Sequence, residues 1–344
     1  MGEKTHFEHI VGGSEKDKEE VSEFLQNLFS NPPEAFAPFE LEKTPEDLAV
    51  IREVQGLVDE IAVLYGGAAK HLPIENIHIL KPGAVFELTR GKLRDGIHKP
   101  LSLHVGVEKR SSKIPFCGSL AHELFHAKGF KSFYIRPDGE GALYRSGIQM
   151  IDQKDSSVEL GDEKEYFAQL EEAIVTECAS QLVAMLGERG FFGEEYKAMK
   201  ELHDLANAYH QRLGWTQQQM QEYAEETEYV EDPIRTLETI KAAYPSEDKW
   251  PAYAAGLIDG MKQHGAVEMK ERYFERKKFN ALLDELVEKS QGVYMQRSDI
   301  FAEFAKAHFS GRYLPLARIV EGILGKGAFR RIANDFSEMP NQKK

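Results

Sequence analysis

The stretch Ser119-Leu120-Ala121-His122-Glu123-Leu124-Phe125-His126-Ala127-Lys128-Gly129 decides how this chain is read. It reads as a helix that begins near Ile114-Pro115, since proline is tolerated in a first turn, and ends by Gly129, a natural C-terminal cap. On such a helix His122 and His126 lie one turn apart on one face, with Glu123 beside them. Two imidazoles at that spacing can hold one Zn²⁺ per chain, and the neighbouring glutamate can reach a metal-bound water. The expected chemistry is hydrolysis of a peptide bond, with Glu123 as the catalytic base. A five-residue pattern is short, so the surrounding sequence has to carry it.

A catalytic zinc needs a third protein ligand and one open position. A continuation of the metzincin form, HExxHxxGxxH, keeps Gly129 but meets Ser132 where the last histidine belongs, and a neutral hydroxyl is a poor zinc ligand. Cys117 is only five residues before His122 on the same helix and points elsewhere. His78, His104, His203 and His210 have no spacing that recommends them. The remaining source is the apolar segment from about Glu163 to Leu186, which reads as a largely buried helix and carries Glu171, Glu172 and Glu177. A buried carboxylate needs compensation, and a metal supplies it. At 100° per residue the three cannot share a face. Glu172 is favoured because Ala168, Val175, Thr176 and Ala179, all small or β-branched, surround it; Glu177 and then Glu171 are the substitutes. Thr176, one turn on, is placed to accept a hydrogen bond from the far nitrogen of a ligating imidazole.

These residues resemble the gluzincin clan of metallopeptidases, whose best-known member is thermolysin. There the third ligand sits on a later helix in the form Asn-Glu-Ala-Ile-Ser-Asp, and Glu171-Glu172-Ala173-Ile174-Val175-Thr176 lines up with it. The resemblance carries the ligand role onto Glu172 and the outer, orienting role onto Thr176, with Glu171 replacing asparagine and Thr176 replacing aspartate. It covers roughly residues 74 to 187 and is closest to the minimal intracellular members. It implies an α+β fold with a zincin-like core: a small mixed sheet, the HExxH helix and the glutamate helix. It also implies an edge strand above the cleft and an oxyanion-stabilising donor, for which Tyr144, Tyr166 and His210 are the candidates.

The rest of the chain fits around that core. Residues 17 to 30 and 45 to 67 have helical periodicity, so 1–70 reads as a helical lead-in. Within 71–188, Ile74 to Leu80 and Ala84 to Leu88 read as short strands. Leu101 to Val107 alternates as a strand with one buried face, and Ser132–Arg136 with Ala142–Ile148 reads as a hairpin. From 189 to 344 the pattern is all-helical, with apolar stripes at Phe279, Leu282, Leu283 and Leu286 and at Leu316, Ile319, Val320, Ile323 and Leu324.

A net charge of -14 excludes a general nucleic-acid binder, which needs a basic face to displace counterions. The one basic run, Lys270 to Lys278, is interleaved with glutamates and reads as a solvated helix face. The absence of a signal-like or membrane-spanning apolar run, together with only two cysteines, is what a cytoplasmic protein would show. The expected partner is a peptide or protein substrate, with no nucleic acid and no membrane; the oligomeric state is left open. Two other readings stand beside the peptidase: a zincin-fold protein that binds metal in a structural or regulatory role, and a helical interaction protein without metal.

Overall fold

The computed structural model describes residues 9–69, 71–91, 95–136, 141–151, 165–217, 219, 232–264 and 267–337, with side chains outside 259–273. β1 (His9–Gly12) leads into α1 (Glu15–Ser30), and β2 (Glu40–Leu41) into α2 (Pro45–Leu64). Both helices start at a reciprocal cap. Ser14 and Thr44 each accept from the backbone N–H three residues on, and Asp17 and Asp47 accept from the cap residue in return. Pro45 presets the first turn of α2, whose Val50, Ile51, Val54, Leu57, Val58 and Ile61 form its buried face.

β3 (Ile77–Leu80), α3 (Ala84–Leu88), β4 (Gly96–Lys99) and β5 (His104–Glu108) follow. β2, β3, β5 and β4 form a sheet in that order, β3 parallel to β5 and the outer strands antiparallel. Four expectations change here. Ala84 to Leu88 is a helix turn and not a strand, because the Glu108 carboxylate accepts from the N–H groups of Gly83 and Val85, each at 2.8 Å, and so caps it. The strand expected over Leu101 to Val107 begins at His104. It is interior to the sheet; the edge is β4. Both faces of β5 are buried, because Val105 and Val107 join the main core while Phe36, Leu80 and Ile97 form a second, smaller one on the other side.

α4 (Lys113–Lys128) carries the two histidines and packs on β4, β5 and α2. Its first turn is capped from a distance: Glu195 accepts from the Lys113 N–H at 2.9 Å and from the Ser112 hydroxyl at 3.0 Å. Gly129 closes the helix in extended conformation, not a left-handed one. Its need is space, since a Cβ there would lie 2.8 Å from the His308 ring. β6 (Lys131–Ile135) and β7 (Gly141–Ser146) form the hairpin. With β1, β8 (Gln149–Ile151) and β9 (Glu165–Tyr166) they make a second sheet, ordered β1-β6-β7-β8-β9.

α5 (Ala168–Glu188) is the glutamate helix; it starts later than the Glu163 expected, because Glu165–Tyr166 pair as a strand and Phe167, in left-handed conformation, caps the helix. All described elements beyond Gly190 are helical: α6 (Glu194–Arg212), α7 (Pro233–Ala243), α8 (Trp250–His264), α9 (Val267–Lys289), α10 (Arg297–Ser310), α11 (Tyr313–Leu324) and α12 (Ala328–Asp335), with a short 3₁₀ turn before α8. The chain is therefore a mixed α+β protein. One hydrophobic cluster runs from Leu25 to Phe336 through α2, α4, α5, α9 and α10. The basic run lies on α9. Arg276 pairs with Glu177, Lys278 donates to the carbonyl of Asp335, and the side chains of 270–273 lie outside the described residues. No helix among the described residues is long and apolar enough to cross a membrane.

The smaller core is bordered by a polar relay. His78 Nδ1 lies 2.8 Å from Glu40, its Nε2 lies 2.8 Å from His104 Nδ1, and His104 Nε2 lies 3.2 Å from the carbonyl of Phe29 at the end of α1. Burial, with His78 adding to it, pushes His104 down to about 4. The folded chain thus binds fewer protons than the unfolded one between that value and the ordinary histidine range. Folding stability should fall as pH drops from about 6.5 toward 4. His104→Phe should flatten that part of the profile in urea melts taken at stepped pH, and an unchanged slope would contradict the assignment.

Candidate metal centre

The ligand atoms of His122, His126 and Glu172 lie within 4.8 Å of one another. The two imidazole Nε2 atoms are 3.1 Å apart. One Glu172 oxygen is 3.2 Å from His122 Nε2 and the other 3.2 Å from His126 Nε2. A four-coordinate tetrahedral metal with bonds of about 2.0 Å spaces its ligands by about 3.3 Å, so this donor set fits one such ion. His122 is only 4 % exposed, whereas Glu172 keeps 35 %. The group is therefore closed on the helix side and open at Glu172, as a centre with a free position requires.

Helix geometry explains why Glu172 joins and its neighbours do not. Glu177, about 140° further round α5, turns to α9, where Arg276 donates to it at 3.0 Å, and accepts from Gln181 at 3.1 Å. Glu171 faces the outer side of the histidines. Its Oε1 lies 3.5 Å from His126 Nδ1, and its Oε2 accepts from the Ile148 N–H at 2.8 Å and from His308 Nδ1 at 2.9 Å. The carboxylate that faces the far nitrogen of His126 is thus Glu171, in an ion-pair contact at 3.5 Å, while the buried hydroxyl of Thr176 makes no hydrogen bond among the described residues. The physical reason is reach: a glutamate side chain is longer than a threonine one and so comes nearer to that nitrogen.

His308 is fully buried, and its Nε2 lies 3.3 Å from the carbonyl of Phe125. It fits only because two glycines make room. A Cβ on Gly129 or on Gly147 would lie 2.8 or 2.4 Å from its ring, and the one on Gly147 also 2.3 Å from both Glu171 oxygens. Gly147 sits at φ +58, a region glycine occupies without strain.

The electrostatics are tightly matched. Burial opposes ionisation of both carboxyls, but the flanking imidazoles prevail and hold Glu171 and Glu172 well below the usual carboxylate range. Burial likewise opposes charging His126, yet Glu172 and Glu171 raise it to about 10. Lys131, buried below the helix end, donates to the His126 carbonyl at 2.6 Å and is pushed down to about 8 by burial. Cys117 is buried and its thiol is pushed up to about 12, which removes it as a thiolate ligand.

Tyr144 lies on β7 and Tyr166 on β9, while His210 ends α6 with its ring stacked 3.9 Å from Trp215. The ring packed beside His126 is that of His98 on β4, 6.0 Å away and 9° from parallel. Burial, reinforced by Lys131 and His126, pushes His98 well below the ordinary histidine range. Sequence reasoning passed over both His98 and His308, because β4 is four residues long with a single isoleucine and His308 lies in an apolar helix stripe without ligand spacing.

No known protein family, curated protein or solved structure matches the chain.

The geometry ranks the glutamates. In competition with a chromophoric chelator, Glu172→Ala should abolish tight binding of a divalent transition metal. Glu171→Gln should weaken binding by about 10- to 100-fold. Glu177→Ala should leave the affinity unchanged, and the reverse order would displace Glu172 from the centre.

Proposed function

We propose that this chain is a zinc metallopeptidase built on the gluzincin plan, with His122, His126 and Glu172 as metal ligands and Glu123 as general base and acid. The observation that carries the reading is the near-equal 3.1 to 3.2 Å spacing of three donor atoms drawn from two helices, with Glu123 adjoining them in sequence. Two imidazoles and one carboxylate, open on one side, are a donor set suited to a catalytic rather than a structural zinc.

Bound there, zinc supplies Lewis acidity, polarising a carbonyl oxygen and bringing the pKa of water toward neutrality. The protein does the rest. Glu123 takes a proton from the attacking water as its oxygen bonds to the carbonyl carbon, then delivers that proton to the amide nitrogen as the C–N bond breaks. The products are a carboxylate and an ammonium group, the second proton of the water passing to the released amine. Glu171 keeps His126 turned toward the centre, and His308 holds Glu171 in turn.

A peptide is the substrate class that β4 favours. Among the described residues β4 pairs within its sheet with β5 on one side only, and it packs against α4, an arrangement that suits an extended chain added at its other edge. Such pairing gives affinity with little side-chain selectivity.

Zinc-loaded protein purified without a histidine tag should contain about one zinc per chain and cleave casein or a quenched peptide library. Glu123→Gln should keep the zinc and the fold while lowering the rate by at least about 100-fold. Full zinc with no cleavage of any substrate by the wild type would favour the non-proteolytic metal-binding reading. Zinc below about 0.2 per chain after supplementation would remove both zinc readings and leave the interaction protein.

A further inference from the structure

β4 passes the metal-binding helix with two positions facing it. Ile97 belongs to the smaller core on the far side of the sheet, so by the two-residue period of a strand Gly96 and His98 face α4. Contacts agree with that parity. A Cβ on Gly96 would lie 2.7 Å from both Cγ and Oε1 of Glu123, so only bare backbone fits against this carboxylate. Two residues on, the imidazole of His98 lies against that of His126. One short strand thus places nothing beside Glu123 and a polar ring beside the second histidine.

The His98 Nε2 is shielded from solvent and has no hydrogen-bond partner among the described residues. A buried ring nitrogen left this way carries a desolvation cost that a partner would remove. The nitrogen does not complete the donor set, which groups His122, His126 and Glu172 without it. It belongs to a ring packed beside that of His126, on the strand that ends the order of its sheet among the described residues. A carbonyl oxygen polarised at the centre is a hydrogen-bond acceptor of the kind it lacks. A neutral imidazole in the Nε2–H form has one N–H to offer it.

We infer that His98 is a catalytic residue, its Nε2–H donating to the scissile carbonyl oxygen as negative charge develops there. The inference rests on the peptidase reading and adds to it an oxyanion-stabilising donor on the strand that packs against α4. Donation by His98 strengthens as the carbonyl becomes tetrahedral, so its removal acts on the transition state more than on substrate binding.

The test uses the zinc-loaded full-length chain as wild type, His98→Phe, His98→Gln and Glu123→Gln. Phenylalanine keeps a flat ring beside His126 and removes the donor; glutamine replaces the ring but restores an N–H. Three quantities are read: zinc content, kcat and KM on a cleaved peptide, and the inhibition constant of a phosphonamidate peptide that mimics the tetrahedral state. His98→Phe should keep its zinc, lose about 100-fold or more in kcat with little change in KM, and bind the phosphonamidate correspondingly more weakly. His98→Gln should recover part of both losses. If His98→Phe stays within about threefold of wild type while Glu123→Gln is inactive, the His98 assignment falls and the peptidase reading stands. Loss of zinc in a folded His98→Phe would make the residue a ligand and overturn the assignment. Should His98→Phe fail to fold, His98→Gln decides: a loss confined to KM overturns the assignment, and a partial loss in kcat and phosphonamidate affinity upholds it. A wild type that binds no zinc or cleaves nothing overturns both readings.

Discussion

Two adjacent carboxylates, Glu171 buried and Glu172 partly open, lie against the imidazoles of His122 and His126 where α4 and α5 meet, and the surrounding structure is arranged to make that tolerable. Glu171 and Glu172 are neighbours in sequence and carry like charges, so each needs compensation of its own within a few ångströms. The helix solves this by direction. Glu172 turns to the Nε2 side of both histidines, and Glu171 turns to the Nδ1 side of His126 and to His308. Neither carboxylate could be kept with the other's partner, because successive side chains on a helix diverge by 100°.

That arrangement fixes what surrounds it. Gly129 and Gly147 are small so that His308 can enter, and the turn between β7 and β8 presents the Ile148 N–H to Glu171. Lys131 ties the end of α4 through the His126 carbonyl, and Glu195 ties its beginning through Ser112 and Lys113. The helix carrying the histidines is thus fastened at both ends by side chains from other elements. Such fastening is what holds a three-point donor set to a few tenths of an ångström.

The sequence carries the centre well and its surroundings poorly, for definite reasons. His122, Glu123 and His126 are legible because helical spacing is rigid, and Glu172 because an acidic residue in an apolar helix is conspicuous. Glu171 is equally conspicuous, but its partner His308 is 137 residues away in sequence and nothing local announces the pairing. Helix periodicity puts Thr176 on the face of Glu172, yet a face is not a contact, and its hydroxyl makes no hydrogen bond among the described residues. The run Ala84 to Leu88 has strand composition, and a distant Glu108 caps it into a helix. Leu101 to Val107 alternates as a half-buried strand should, and the chain covers its polar face with Phe36 and the His78–His104 relay. In each case a tertiary contact decided what local pattern could not.

The position of His308 also governs when the centre is complete during synthesis. A nascent chain that has cleared the ribosome through α5 already has both histidines, Glu123 and Glu172. It lacks the imidazole that pairs with Glu171, and the space between Gly129 and Gly147 is unfilled. Only when α10 emerges, more than a hundred residues later, can the buried carboxylate be matched and the outer layer close. The chain order therefore separates the appearance of the ligands from the maturation of the site they form.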